Sequence, residues 1–444
     1  MKSSTRTLST RLLLISVAHS AFGVIPNAVL GEPIGEEFQV NSTTENHQRA
    51  PDVAMDAQGN FVVAFQNWLA GTGANVSAQR YLATGEKLGG EFMVNTTANS
   101  DLTLPAIAMT PDGDYVVVWQ DFGDDGSGFG IFAQRYNSHG QAQGSNFPVN
   151  TTVDDAQRRA DVAVSDSGDF VVVWEDDTVG NSKRGIRGQR FDAVGAVQGP
   201  EFDISTDPEI DHTYPEVAMD SVGNFIVGWS AGTVGANQDV VFRLFDLDGL
   251  PRGQPTSVNV TSKMDSASGV VNNMSIDCDS SGNFVVAWRA DNFSGPGIPG
   301  TAVGILARRY DRDGKPLGAP FEVHTDRASM TGAPEVVVVP DGEFAIAYEA
   351  ADDSLTGIFG RVYSPNGQPI GPADQLNTMT YLIQDRPAVA LNGIGGGVVA
   401  WRATRDQDGD RDGVFARRFA YDDGVSSESR VLKVVCAVAG VCSQ

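Results

Sequence analysis

The chain has 444 residues, 31 of them basic and 56 acidic, for a formal net charge of −25. A surface that negative repels nucleic acid and anionic membranes, so neither is an expected partner, and it attracts cations such as Ca²⁺. Three cysteines in a chain this long exclude a disulfide scaffold.

In chain order, residues 1–31 read first as a signal peptide. Lys2, Arg6 and Arg11 form a basic n-region, Leu12 to Ala18 an apolar run, and Ala21, Gly23 and Gly31 suit cleavage within roughly 21–31. The run is too short to span a bilayer, and no later stretch reaches about 20 apolar residues. The expected product is exported and extracellular.

From residue 32 to 419 repetition dominates. The string Gly59–Phe65 (GNFVVAF) recurs at Gly113–Trp119, Gly168–Trp174, Gly223–Trp229, Gly282–Trp288, Gly342–Tyr348 and Gly395–Trp401. The terminal aromatic slots are 54, 55, 55, 59, 60 and 53 residues apart, a period that signals stacked repeats. Each unit holds strand-like segments, named here a to d. Segment a resembles Pro51–Met55, and b is the aromatic-ending run. Segment c resembles Ala78–Tyr81, with Arg80, Arg135 and Arg190 between apolar neighbours. Segment d resembles Glu91–Asn95. Segment b is apolar at consecutive positions, which suits a strand covered on both faces. Glycine recurs between c and d, as at Gly85, Gly140 and Gly195, where a tight hairpin needs φ > 0. Seven four-stranded units without helical periodicity predict an all-β, seven-bladed β-propeller.

Glu37 to Asn41 is a d-type segment lying before the first a segment, and it is expected to complete the seventh blade and close the ring. Arg430–Val434 is a second candidate for that place, within a C-terminal extension of residues 420–444. Cys436 and Cys442 in the extension are spaced to pair after export, whereas Cys278 occupies a slot filled elsewhere by Met55, Met109 and Met219 and reads as a core hydrophobe.

The pattern Gly-Asn/Asp-Phe-Val-Val-x-Trp, then Ala-Gln-Arg-Tyr and a Gly turn, resembles the tandem repeats of secreted bacterial β-propeller proteins, including ones found beside calcium-binding hemolysin-type modules. The resemblance spans about Glu36 to Phe419 and implies a fold, with no common reaction.

A residue present in nearly every unit serves the fold, and a feature of one or two units is a candidate for function. The b-strand aromatics, c-strand arginines, turn glycines and the asparagines Asn95, Asn150 and Asn377 are structural by that rule, although several of the asparagines also read as glycosylation sequons. The a–b and c–d turns share one face of the disc. The variable d–a and b–c loops share the other, where binding residues are expected. His212 and Tyr214, with Arg158 and Arg159, lie in d–a loops and are the candidate ligand-binding residues. Asp406, Asp408, Asp410 and Asp412 lie in the seventh b–c loop, and Asp408 to Gly413 reads Asp-x-Asp-x-Asp-Gly. Alternate carboxylates before a turn glycine can converge on a hard cation, so calcium is the expected cofactor. The downstream acidic ligand of such loops is absent, with Ala416 and Phe419 in its place. Other b–c loop carboxylates are Asp121, Asp124 and Asp125, then Glu175, Asp176 and Asp177, then Asp352 and Asp353. Asp52, Asp161, Glu216 and Glu335 recur early in segment a and would ring the channel if that strand is innermost. Asp277 replaces a small residue in the fifth unit, either as a specific ligand or as packing. No Ser-His-Asp order or phosphate loop stands out, and no catalytic residue is assigned. The expected function is a monomeric, non-catalytic binding propeller that recognises an extracellular glycan or protein with calcium. The alternative is a glycan-cleaving hydrolase or lyase using carboxylates at the channel mouth.

Overall fold

The computed structural model describes residues 33–420, apart from 70–72, 97–102, 124–125, 178–182, 233–237, 259–273, 296–297, 327–331, 354, 381 and 405–406. Residues 1–31, read above as a signal peptide, and Arg430–Val434, Cys436, Cys442, Asp124, Asp125 and Asp406 lie outside the described residues.

Alternation in each unit between apolar strand runs and glycine turns yields seven antiparallel sheets of four strands. In blade one, strand a is Gln48–Met55, b Phe61–Leu69, c Gly73–Tyr81 and d Phe92–Met93. The a strands of successive blades touch, and that of blade one also touches that of blade seven, so the sheets form a closed ring about a central axis. The chain is a seven-bladed β-propeller. Blade seven is built from Gln384–Leu391, Gly396–Ala403 and Gly413–Ala420, and its outer strand is Phe38–Gln39. Phe38 pairs with Ala416 and Gln39 with Phe415.

The core is a set of apolar layers, one per blade junction. Val62 and Ala64 of strand b face Ile107, Val117 and Trp119 of blade two. Their neighbours Phe61, Val63 and Phe65 face Ala388, Val398 and Ala400 of blade seven. A strand with an apolar layer on each side has no polar face, hence its unbroken apolar run. At the ends of b and c, aromatic rings stack within the blade, Phe61 on Tyr81 at 4.7 Å and Phe170 on Phe191 at 4.8 Å. Blade seven has Gly397 opposite Phe419. A Cβ there would come within 2.5 Å of the Phe419 ring, so the glycine makes room for it.

The c-strand arginines clasp the next blade. Arg80 donates from Nη1 to the His139 carbonyl and from Nη2 to that of Ser138, both at 2.6 Å. Arg418 of blade seven reaches the Ala83 carbonyl of blade one. The turn glycine each arginine meets is needed twice over. Gly140 has φ 76°, and a Cβ on it would lie 2.4 Å from Arg80 Nη1. The asparagines also serve the fold. Asn150 Oδ1 accepts from Ile131 N at 2.7 Å and its Nδ2 donates to Gln157 at 3.1 Å. Asn95, Asn150 and Asn377 are all buried, which leaves no room for an attached sugar.

Candidate functional site

Strand a begins earlier than the Pro51–Met55 pattern indicates and carries a break that sequence reading passed over. The a–b register slips between Arg49 and Asp52, Thr103 and Ala106, Arg158 and Asp161, Thr213 and Glu216, and Asp385 and Ala388. Inside each slip one residue has a left-handed backbone: Ala50 (φ 46°), Leu104 (52°), Arg159 (50°), Tyr214 (55°) and Arg386 (54°). In four of these blades the next residue is proline (Pro51, Pro105, Pro215, Pro387), which has no N–H for the ladder, so an extra residue fits there without stranding a donor. The bulge turns that residue's side chain toward the axis. Its N–H is held by the blade before: Arg159 N donates to Gln120 Oε1 at 2.8 Å, Tyr214 N to Glu175 Oε1 at 2.7 Å, and Arg386 N to Glu349 Oε1 at 2.6 Å.

The bulges rim one end of a cavity of about 1050 Å³ that runs along the axis between the a strands. On one side of the mouth, Arg159 Nη1 meets both oxygens of Glu175 at 3.0 and 2.9 Å, and its guanidinium lies 4.2 Å from the Tyr214 ring centroid. Glu175 is 1% exposed and also meets Arg184 at 3.4 Å, so a pair of arginines compensates its charge. Across the mouth, Arg402 forks onto Asp385. Beside it the Arg386 side chain is exposed, with no hydrogen-bonded or ion-paired partner among the described residues. Burial raises the Glu349 carboxyl to about 7 against the lowering effects of the Arg386 N–H and of Arg386 and Arg402.

Deeper in, the lumen carries the carboxyls of Asp52, Asp161, Glu216, Asp277 and Glu335. Four of them reach into the next blade and accept a backbone N–H from its a strand. Asp52 takes Ile107 at 2.8 Å, Asp161 Val217 at 2.7 Å, Glu216 Ile276 at 3.2 Å, and Asp277 Val338 at 2.7 Å. Ser275 Oγ takes Val336 in the same way at 3.0 Å. Glu335 accepts no such bond among the described residues. Protein surrounds these carboxyls while the lumen leaves each half-exposed, and burial dominates their protonation. Asp52 is raised to about 6, and Asp161 and Asp277 to about 7. Glu216 and Glu335 are raised well above the usual range by burial and by the neighbouring carboxylates.

Of the residues singled out from the sequence, Arg159 and Tyr214 meet at the mouth. His212 is buried, with Nδ1 accepting from the Trp229 indole at 2.9 Å and Nε2–H donating to the Asp207 carbonyl at 2.7 Å. Both ring nitrogens are thus committed inside the fold, and burial lowers the pKa of the imidazole. Arg158 points away to Asp177 at 3.4 Å and lies over the Phe129 ring at 5.2 Å. In the seventh b–c loop, the Asp412 side chain meets His47 at 3.0 Å and Arg49 at 2.5 Å. Asp410 accepts from Asn46 N at 2.7 Å and Asp408 from Asn41 at 3.2 Å. These carboxylates are turned toward separate partners, and no group of three or more acidic, histidine or cysteine side chains among the described residues is placed to hold a metal ion. Asp176 is fully buried against Arg187 at 3.0 Å. Sequence reasoning missed Arg386 and Glu349. Aligning the residue before strand-a proline across the units, where Ala, Leu, Tyr and Arg alternate, would have found Arg386.

No protein-family model and no curated protein sequence matches the chain. Among solved structures it is similar to a protein of unknown function from Dyadobacter fermentans, at 12% identity and a TM-score of 0.51, covering 90% of this chain and 100% of that one. It is also similar to a polysaccharide lyase, an ulvan lyase, at 11% identity and a TM-score of 0.50, covering 91% of this chain and 98% of that one. Identities this low speak to the shared propeller architecture.

Proposed function

We propose that this protein is an exported glycan-binding propeller whose ligand lies across the bulge-rimmed mouth of the central channel. The observation that carries the reading is the mouth itself. One repeated backbone device delivers different side chains in different blades, and those of blades three, four and seven are Arg159, Tyr214 and Arg386. A repeated bulge with varied side chains is a display, since the fold needs only the backbone. Tyr214 offers a half-buried ring of the kind that stacks on a sugar, stiffened by Arg159 on one side. The cavity volume suits an oligosaccharide or the end of a chain. Likeness to a polysaccharide lyase agrees with this reading, as does the N-terminal leader pattern.

The test is a glycan-array screen of the purified protein, with hits quantified by calorimetry for the native protein and Tyr214→Ala. Expected is an array hit whose affinity falls about tenfold in the variant. A hit that Tyr214→Ala leaves unchanged would move the site elsewhere. A second reading, glycan cleavage, is favoured by Glu349, a carboxyl raised to about 7 in the cavity wall and so suited to proton transfer near neutrality. Assaying the same sample for sugar release decides between the two.

A further inference from the structure

Arg386 is unusual in this chain. Most basic side chains among the described residues have a polar partner. Arg159, Arg184, Arg187 and Arg402 meet carboxylates, and the c-strand arginines Arg80, Arg135, Arg190, Arg309 and Arg418 meet backbone carbonyls. Arg386 holds a left-handed backbone, its N–H is fixed by Glu349 at 2.6 Å, and its guanidinium stands exposed at the cavity mouth with no partner among the described residues. The carboxylates around it do not take the partner's place. Asp385, next in the chain, is forked by Arg402. Glu349 spends one oxygen on the Arg386 backbone, and its other oxygen fits over Gly332, where a Cβ would lie 1.8 Å away.

We infer that the ligand at the channel mouth is an acidic glycan, with Arg386 as the residue that contacts its carboxylate or sulfate group. This rests on the glycan-binding reading above. A guanidinium presents a planar fork that matches carboxylate and sulfate oxygens, and held at the rim of a partly dehydrated cavity it binds an anion more strongly than an exposed lysine would. The net negative charge of the protein is no bar. At physiological salt the screening length is about 8 Å, so the local surroundings decide. There burial holds the Glu349 and Glu335 carboxyls toward the neutral acid, and Asp385 is spent on Arg402. The same wall leaves a neutral sugar no reason to need position 386.

The experiment measures binding of a polygalacturonate hexasaccharide, a chondroitin sulfate hexasaccharide and cellohexaose at pH 6. It uses the native protein, Arg386→Gln and Arg386→Lys. Expected is at least tenfold tighter binding of an acidic oligosaccharide than of cellohexaose. Arg386→Gln should lose that tenfold, and Arg386→Lys should keep part of it. The two acidic arms tell whether carboxylate or sulfate is preferred. Equal binding of neutral and acidic sugars, or an acidic preference that survives Arg386→Gln, overturns this inference and leaves glycan binding standing. Binding of none of them, with an empty glycan array, overturns both. Unfolding curves of the variants, expected to match the native protein because the side chain is exposed, guard against loss through misfolding.

Discussion

Asp277 offers a sharp test of how the lumen is held together. It is raised from 3.8 to about 7, chiefly by burial and against the lowering effect of bonds from Val338 N and Cys278 N. A native pKa above the unfolded one means the folded protein holds the proton more tightly. This contribution to stability is therefore complete below pH 3.8, declines as the pH rises, and is gone above about 7. The shift is about three units at 1.36 kcal/mol each, so an ionised Asp277 costs up to about 4 kcal/mol at pH 8.5. Asp277→Asn keeps a carbonyl oxygen for one N–H and removes the charge. At pH 3.5, where the side chain is neutral in the folded state and mostly neutral in the unfolded one, the variant should lose about 1 kcal/mol for one weakened hydrogen bond. At pH 8.5 it should gain about 3 kcal/mol, so the sign of the effect reverses. Urea unfolding of both proteins at the two pH values measures it. A loss of the same size at both would mean that Asp277 is ionised throughout, its backbone bonds outweighing burial, and the reasoning would fail.

Other outcomes follow from the same contacts. Gly140→Ala should cost 1 to 2 kcal/mol or more from its left-handed backbone and the collision with Arg80. That penalty should shrink in an Arg80→Ala background, which a double-mutant cycle of unfolding free energies reads directly. His212→Ala should lower stability by about 2 kcal/mol, because it strands the buried Trp229 indole N–H, while leaving calorimetric glycan affinity intact; a selective loss of affinity would return His212 to the site. Gly332→Ala should push the Glu349 carboxyl from its seat and so weaken acidic-sugar binding with little change in unfolding midpoint. Acidic-sugar affinity should rise as the pH falls from 8.5 to 6. Glu349, facing Arg386, Arg402 and Asp385, gains its proton over that range, and a flat profile would show that it has no part in the charge of the mouth.

The propeller was legible because every blade must solve one packing problem, and seven solutions at a fixed interval are visible in a single chain. Strand b needs apolar residues on both faces, the c–d hairpin needs glycine, and each need leaves a letter in the sequence. The mouth was less legible. A residue before proline is expected to be extended, so nothing in Ala50-Pro51 or Arg386-Pro387 announces a left-handed bulge, and the change of aim that gathers Arg159, Tyr214 and Arg386 is invisible without the register. The Asp-x-Asp-x-Asp run showed the opposite limit. Its spacing can be read, but the partners that claim Asp412, Arg49 and His47, lie some 360 residues away in sequence. His212 drew notice as a rare residue in a loop, although its role was fixed by a tryptophan 17 positions on.

The clasps between blades have one more implication. Arg80, Arg135, Arg190, Arg309 and Arg418 all reach to the successor blade, and Asp52, Asp161, Glu216 and Asp277 do the same nearer the axis. Among the described residues every blade but the sixth thus carries one of these side chains as a plug on its leading side that meets a socket on the next, with Arg418 into Ala83 being the same joint as Arg80 into Ser138. A structure whose joints are interchangeable has no privileged beginning. Its chain could be opened in another d–a loop, and its gene could lengthen by copying one unit whose fittings already match.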